Sequence, residues 1–145
     1  MLYLVRHGQT DWNVQRRWQS RTDTPLNDTG YRQAGAMQSE LRRRNLIFSR
    51  VICSPLSRAQ ETTRIILDGS TNTVETNEAL LEINLGDYEG RFEADLRQEI
   101  GPAYDEWRKT RHREAAPGGE SIFDVATRIG PVLDSVRDEA GAVLI

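Results

Sequence analysis

The chain has 145 residues, 37% hydrophobic and 28% charged, with a net charge of −3. That length suits a single domain able to bury roughly two thirds of its unfolded surface, and the composition excludes collagen-like and disordered classes. The charge argues against a broad nucleic-acid footprint, no apolar run reaches the ~18 residues of a membrane span, and the start before Arg6 is too short for a signal-peptide core, so a cytoplasmic protein is expected.

Leu2 to Val5 is a short continuous apolar run, as expected of a strand buried on both faces of a parallel sheet. A polar loop follows to Pro25-Leu26. Asn27 then caps a predicted helix from about Asp28 to Arg44, in which Ala34, Met37 and Leu41 share a face and Arg42 to Arg44 suit the negative end of the helix dipole. Val51-Ile52-Cys53 reads as a second buried strand, and Leu56 to Leu67 as a helix stopped by Asp68-Gly69. Cys53, the one cysteine, rules out an internal disulfide and is read as a core residue. A third strand is predicted around Thr73 to Glu75, then loops to Gly90 and short helices across Phe92 to Lys109. Ser121 with Asp124 forms a capping-box variant for a helix whose Ile122, Val125, Ile129, Leu133 and Val136 share a face. Pro131 should kink or divide that helix. Val143 to Ile145 would be the next strand. Strands alternating with helices predict an α/β fold with a mostly parallel sheet.

Ligands in such sheets bind at the carboxyl ends of the strands. There the sequence places Arg6-His7-Gly8 after the first strand, and Ser54-Pro55 with Arg58 after the second. A guanidinium beside an imidazole opposes its protonation and keeps a nitrogen lone pair available. Gly8 allows close backbone approach to a ligand, and Arg58 brings a second planar fork. Two arginines around a neutral histidine describe a site for a tetrahedral dianion with a nucleophile beneath it. Lys109 is the only lysine among 19 basic residues. Genome base composition accounts for most of that arginine excess; Arg6 and Arg58 have a specific task.

The run Leu4-Val5-Arg6-His7-Gly8-Gln9-Thr10-Asp11-Trp12-Asn13 resembles the opening motif of the histidine phosphatase superfamily, the phosphoglycerate mutase-like proteins. The resemblance continues in family order through Asp23 to Leu26, Gly30 with Gln33-Ala34, Ser54 to Thr62, Leu81 to Gly90 and Pro117 to Ser121. It implies a three-layer α/β/α sandwich over residues 1–145, and roles position by position. His7 is the implied nucleophile that becomes phosphohistidine, Arg6 and Arg58 the clamps on the phosphoryl oxygens, and Asn13 a phosphate contact. Gln19 and Ser20 fall on the loop that meets the substrate. Glu82 matches the proton donor to the leaving oxygen. No metal and no cofactor is implied. Glu120 is read as fixing the turn before its helix, and His112 as exposed. Trp12, Trp18 and Trp107 are structural, with Trp18 and Trp107 candidates for the pocket border.

The resemblance also implies a second catalytic histidine, in a Ser-His-Gly-like motif after a strand such as Val143-Leu144-Ile145. The sequence stops before it, which reads as a C-terminal truncation of a normal enzyme, with a native degenerate member as the other reading. Reduced turnover of the 145-residue chain is expected either way. The expected activity is hydrolysis of a small phosphomonoester. The alternatives are a cofactor-dependent phosphoglycerate mutase, disfavoured by the short Glu82 to Pro117 connection, and a non-catalytic phosphate-binding module. Expected partners are a small phosphorylated metabolite and, beyond it, only a second copy of the chain in a homodimer; neither nucleic acid nor membrane is expected.

Overall fold

A computed structural model describes residues 1–145. Four parallel strands, β1 (Leu2–Tyr3), β2 (Phe48–Cys53), β3 (Val74–Thr76) and β4 (Ala142–Leu144), form one sheet in the order β1-β4-β2-β3. The helices are α1 (Asp11–Val14), α2 (Asp28–Arg43), α3 (Ser57–Ile66), α4 (Glu93–Ile100), α5 (Pro102–Thr110) and α6 (Ile122–Val136). No helix is long and apolar enough to cross a membrane.

Neighbouring residues on a strand face opposite sides of the sheet. Val51 and Leu144 accordingly pack with Leu41 of α2 and Ile66 of α3, whereas Ile52 and Val143 pack with Val132 and Val136 of α6. The result is the expected three-layer α/β/α arrangement. β2 begins at Phe48, three residues before the predicted strand, and its register against β4 shifts between Phe48 and Arg50. That irregularity puts Phe48 on the same side as Val51 despite their odd spacing.

Asn27 caps α2 by accepting from the Gly30 amide, and Ser121 and Asp124 form a reciprocal capping box on α6. Four expectations need correction. β1 is a two-residue edge strand, paired on one side only, with Leu2 and Leu4 exposed, not a strand buried on both faces. Met37 is exposed; α2 buries Gly30, Ala34 and Leu41 instead. On α6, Ile122 and Leu133 are exposed, and the inward stripe runs through Val125, Ile129, Val132 and Val136. That stripe follows the helical period with Val132, seven residues after Val125, in the place assigned to Leu133. Pro131 does not divide α6, which runs unbroken from Ile122 to Val136. Pro131 and Thr127 both lie on the exposed side, where water can serve the Thr127 carbonyl left without its helical donor.

A second core lies away from the sheet. Leu85, Tyr88, Leu96, Tyr104, Trp107 and Ala116 pack together, with Trp18 and Ile83 against them. It anchors α4 and α5 beside the sheet's carboxyl edge.

Candidate active site

Beyond β1 the chain stays aligned with β4: the Val5 amide donates to the Ile145 carbonyl at 2.8 Å. It then turns out at Arg6-His7-Gly8. The turn is tied to two helices. The Gly8 amide donates to Thr62 Oγ1 at 3.0 Å, and that hydroxyl donates to the Arg58 carbonyl at 2.7 Å, so the histidine loop is bound to the helix that carries Arg58. A Cβ at residue 8 would lie 2.5 Å from the Gly30 carbonyl oxygen, so only glycine lets the loop approach the start of α2 this closely.

His7 Nδ1 lies 2.7 Å from the Gly8 carbonyl oxygen. A carbonyl can only accept, so the neutral ring carries its proton on Nδ1 and leaves Nε2 with a free lone pair. Burial lowers the His7 pKa first, with the positive charges of Arg58 and then Arg6 acting in the same direction; the Gly8 carbonyl and Glu82 oppose them. Sequence reasoning named only the adjacent guanidinium of Arg6 as opposing protonation of the ring. In the fold it is preceded by burial and by Arg58, because Arg58 is buried while Arg6 is exposed.

Arg58 is only 1% exposed. Its Nη1 donates to the Thr22 carbonyl at 2.9 Å and its Nη2 to the Ser20 carbonyl at 2.8 Å, while Nε is buried with no partner. Burial draws its pKa down, against Glu82, Asp23 and Glu89, yet a guanidinium stays charged at any ordinary pH. Two main-chain carbonyls thus fix a buried, charged guanidinium beside His7.

Glu82 is on the exposed side of its loop, and its Oε1 accepts from the Ile83 amide at 2.9 Å. The loop itself is firmly held. Ser20 Oγ donates to the Ile83 carbonyl and accepts from the Leu85 amide, both at 2.9 Å, and Glu120 Oε2 accepts from the Asn84 amide at 2.9 Å. Arg128 and Arg21 both bridge to Glu120. Glu120 therefore braces the Glu82 loop as well as the turn before α6.

Arg6, His7 and Glu82 border two adjoining cavities. One, of about 470 Å³, is walled by Arg58, Leu4, Leu144 and Ile129. The other, of about 340 Å³, is more polar and includes Asn13, Gln19, Ser20 and Trp18. Asn13 spends its Oδ1 on the Thr10 amide, in the capping box of α1. Gln19 Oε1 accepts from the hydroxyls of Thr10 and Thr24, and Ser20 is spent as described, so these two side chains shape the wall through internal bonds. Trp18 borders the pocket; Trp107 is buried behind it, edge to face with Trp18 at 6.0 Å. His112 is exposed, with Nδ1 at 3.2 Å from the Lys109 carbonyl. Cys53 is buried, and burial raises its thiol pKa. A larger groove of about 740 Å³ beside α3 contains none of these groups. No three His, Cys, Asp or Glu side chains converge as a metal cage would require.

Sequence reasoning missed the positioning roles of Thr62, Thr22 and the Ser20 carbonyl. Main-chain acceptors leave no mark in a sequence, though Ser20 carries a positive φ of 51°, uncommon for a residue other than glycine.

The family model of the histidine phosphatase superfamily (branch 1) matches residues 2–145. A probable phosphoglycerate mutase, GpmB, of Yersinia pestis (strain Pestoides F) is 38% identical over 138 residues, which are 92% of this chain and 61% of the relative. The chain thus spans about three fifths of the length of that curated relative. Among solved structures, YhfR of Bacillus stearothermophilus is 36% identical, with a TM-score of 0.89 over 99% of this chain and 71% of that one. A mycobacterial glucosyl-3-phosphoglycerate phosphatase in complex with VO3 is 33% identical, with a TM-score of 0.86 over 98% of this chain and 73% of that one. The folded order of elements, the histidine turn and these matches agree: the chain belongs to branch 1 of the histidine phosphatase superfamily.

Proposed function

We propose that the chain carries the phosphoryl-transfer site of a phosphatase that hydrolyses a small phosphomonoester through phosphohistidine. The observation that carries the reading is the pairing of His7, with its proton pinned on Nδ1, and Arg58, a buried guanidinium that walls the same cavity and whose positive charge acts on the ring. His7 Nε2 attacks phosphorus in line; the N–P bond forms as the ester O–P bond breaks, and the acid form of Glu82 gives its proton to the leaving oxygen. Glu82, now the carboxylate, takes a proton from water, which attacks phosphorus and breaks the N–P bond. Arg6 and Arg58 hold the phosphoryl oxygens, where charge must be stabilised in the transition state.

The pocket has a single imidazole, since His112 lies elsewhere and exposed. One donor of this kind is worth roughly 10²-fold or more in rate, so slow turnover is expected of the 145-residue chain. A mutase reading, in which the phosphoryl group returns to a second hydroxyl of the substrate, is favoured by the 38% identity to a probable phosphoglycerate mutase. The short segment from Glu82 to Pro117, filled by α4 and α5 packed on aromatic residues, supports the phosphatase instead.

The test is incubation with a labelled aryl phosphate in the presence of a chelator. Acid-labile label that is lost in His7→Ala, with inorganic phosphate still bound by that variant, is the expected result. Equal loss of binding and turnover counts against His7 as nucleophile, and binding of phosphate with no label at all identifies a non-catalytic module. Conversion of 3-phosphoglycerate to 2-phosphoglycerate, faster than phosphate release, would decide for the mutase.

A further inference from the structure

The half-buried carboxylates Glu40, Glu61, Glu93 and Glu120 each pair with at least one arginine. Glu89 is half-buried too, and it forms no ion pair. Its Oε1 accepts instead from the Thr22 hydroxyl at 2.5 Å, the length of a charge-assisted O–H···O⁻ bond. Burial raises the Glu89 pKa, but hydrogen bonding from Thr22 and its neighbours in the loop outweighs it, so the group stays a carboxylate at neutral pH. Nothing in the phosphoryl site as described calls for this charge.

Its place in the fold supplies a reason. The Thr22 carbonyl is one of the two acceptors that hold Arg58, and the next residue, Asp23, accepts from the Ser57 amide at 2.8 Å, at the start of α3. The segment from Ser20 to Asp23 thus grips both the guanidinium and the helix that carries it. Glu89 in turn is fixed from the aromatic side: its amide donates to the Gly86 carbonyl at 2.9 Å, the Gly90 amide donates to the Trp18 carbonyl at 2.8 Å, and Tyr88 before it is part of the aromatic core. The positive charge of Arg58 is felt by Glu82, Asp23 and Glu89, none of which pairs with it directly. A carboxylate in contact with Arg58 would compete with a phosphoryl group for the fork. One placed behind Thr22 holds the acceptor and leaves the charge facing the pocket.

We propose that Glu89 is a positioning residue of the phosphoryl site, fixing the Arg58 guanidinium against the His7 pocket through its bond to Thr22. This rests on the phosphoryl reading of that pocket and adds the group that keeps its buried clamp in place. Two substitutions separate the bond from the charge. Glu89→Asp keeps the charge but is one methylene short of Thr22; Glu89→Gln keeps an oxygen that can accept from Thr22 and loses the charge assistance.

The experiment reads the 145-residue chain in two ways: calorimetric titration with inorganic phosphate, and imidazole NMR of His7 against pH, with the exposed His112, the only other histidine, as internal reference. Phosphate affinity should fall about tenfold in Glu89→Asp and in Thr22→Val, the scale of one charge-assisted bond, and by less in Glu89→Gln. In Glu89→Asp the protonation of His7 should move upward, the direction expected of Arg58→Met, because a guanidinium that is no longer fixed opposes protonation less. The same substitution made in the Arg58→Met chain should move it no further. The NMR signals belong to the folded chain, so a loss of stability alone cannot imitate the shift. Unchanged affinity and titration in Glu89→Asp, a shift that persists without Arg58, or a greater loss in Glu89→Gln than in Glu89→Asp overturns the positioning role while the phosphoryl reading stands. If Arg58→Met binds phosphate as well as the unaltered chain does, the phosphoryl reading itself fails, and the role of Glu89 with it.

Discussion

Around the sheet the core is mainly aliphatic, with Phe48 its one fully buried ring: Val51, Ile52, Val143 and Leu144 are buried between α2 and α3 on one side and α6 on the other. Below the mouth of the pocket it is aromatic, with Tyr88 and Trp107 edge to face at 4.9 Å and Tyr104 against Trp107 at 5.6 Å. The site lies where the two meet. The aliphatic core and its strand ladder place His7 and Arg58, and the aromatic cluster carries the segments that present Trp18 and Glu82. The chemistry thus rests on the sheet, whereas the outer wall of the pocket depends on a few large side chains.

The largest expected effect breaks the aromatic half. Trp107→Ala removes a ring shared by Trp18, Tyr88 and Tyr104 and should cost about 3–5 kcal/mol, read from denaturant unfolding. Trp107→Phe keeps most of the ring contacts and deletes an indole N–H that is buried without a partner. It should cost no more than about 1.5 kcal/mol. Equal costs for the two would mean that the cluster is not held by this packing.

A smaller effect is expected at the seam. Ser20 holds Arg58 through its carbonyl and the Glu82 loop through its hydroxyl. Ser20→Ala leaves the Leu85 amide and the Ile83 carbonyl without that partner, at a cost of about 2 kcal/mol. Ser20→Gly suits the positive φ and should be less destabilised, yet turnover should fall by about tenfold in both, because Glu82 loses its brace. Turnover that follows stability rather than the hydroxyl would show that Ser20 only supports the fold.

The same division explains what the sequence revealed. Sheet strands and their helices announce themselves by apolar runs, caps at Asn27 and Ser121, and the Asp68-Gly69 stop, because each is a local rule. His7, Arg6 and Arg58 were legible since both groups sit directly beyond strands. The α6 stripe was misread by one position, as Val132 and Leu133 are equally apolar and only packing against Ile52 and Val143 chooses between them. The aromatic half left no period to read: its members come from loops and short helices between Trp18 and Ala116. The bonds that hold Arg58 were illegible too, because their acceptors are main-chain carbonyls.

The smallest effect, in pH, separates the halves without changing a residue. Burial and the two arginines lower the His7 pKa below its ordinary 6.5, so at neutral pH the ring is uncharged in the folded chain. As pH falls through 6.5, the unfolded chain takes up this proton before the folded one does, and stability declines until the folded ring is also protonated. Turnover follows the folded value, since protonation removes the Nε2 lone pair; its acid limb should therefore lie below 6.5. Removing the positive charge of Arg58, as in Arg58→Met, should move the protonation of His7 upward, as seen in the imidazole NMR signals of the folded protein. Trp107→Phe should leave it in place, because none of the groups that act on His7 belongs to the aromatic core. An imidazole that titrates at the same pH with and without Arg58 would mean that this guanidinium does not set the protonation of His7.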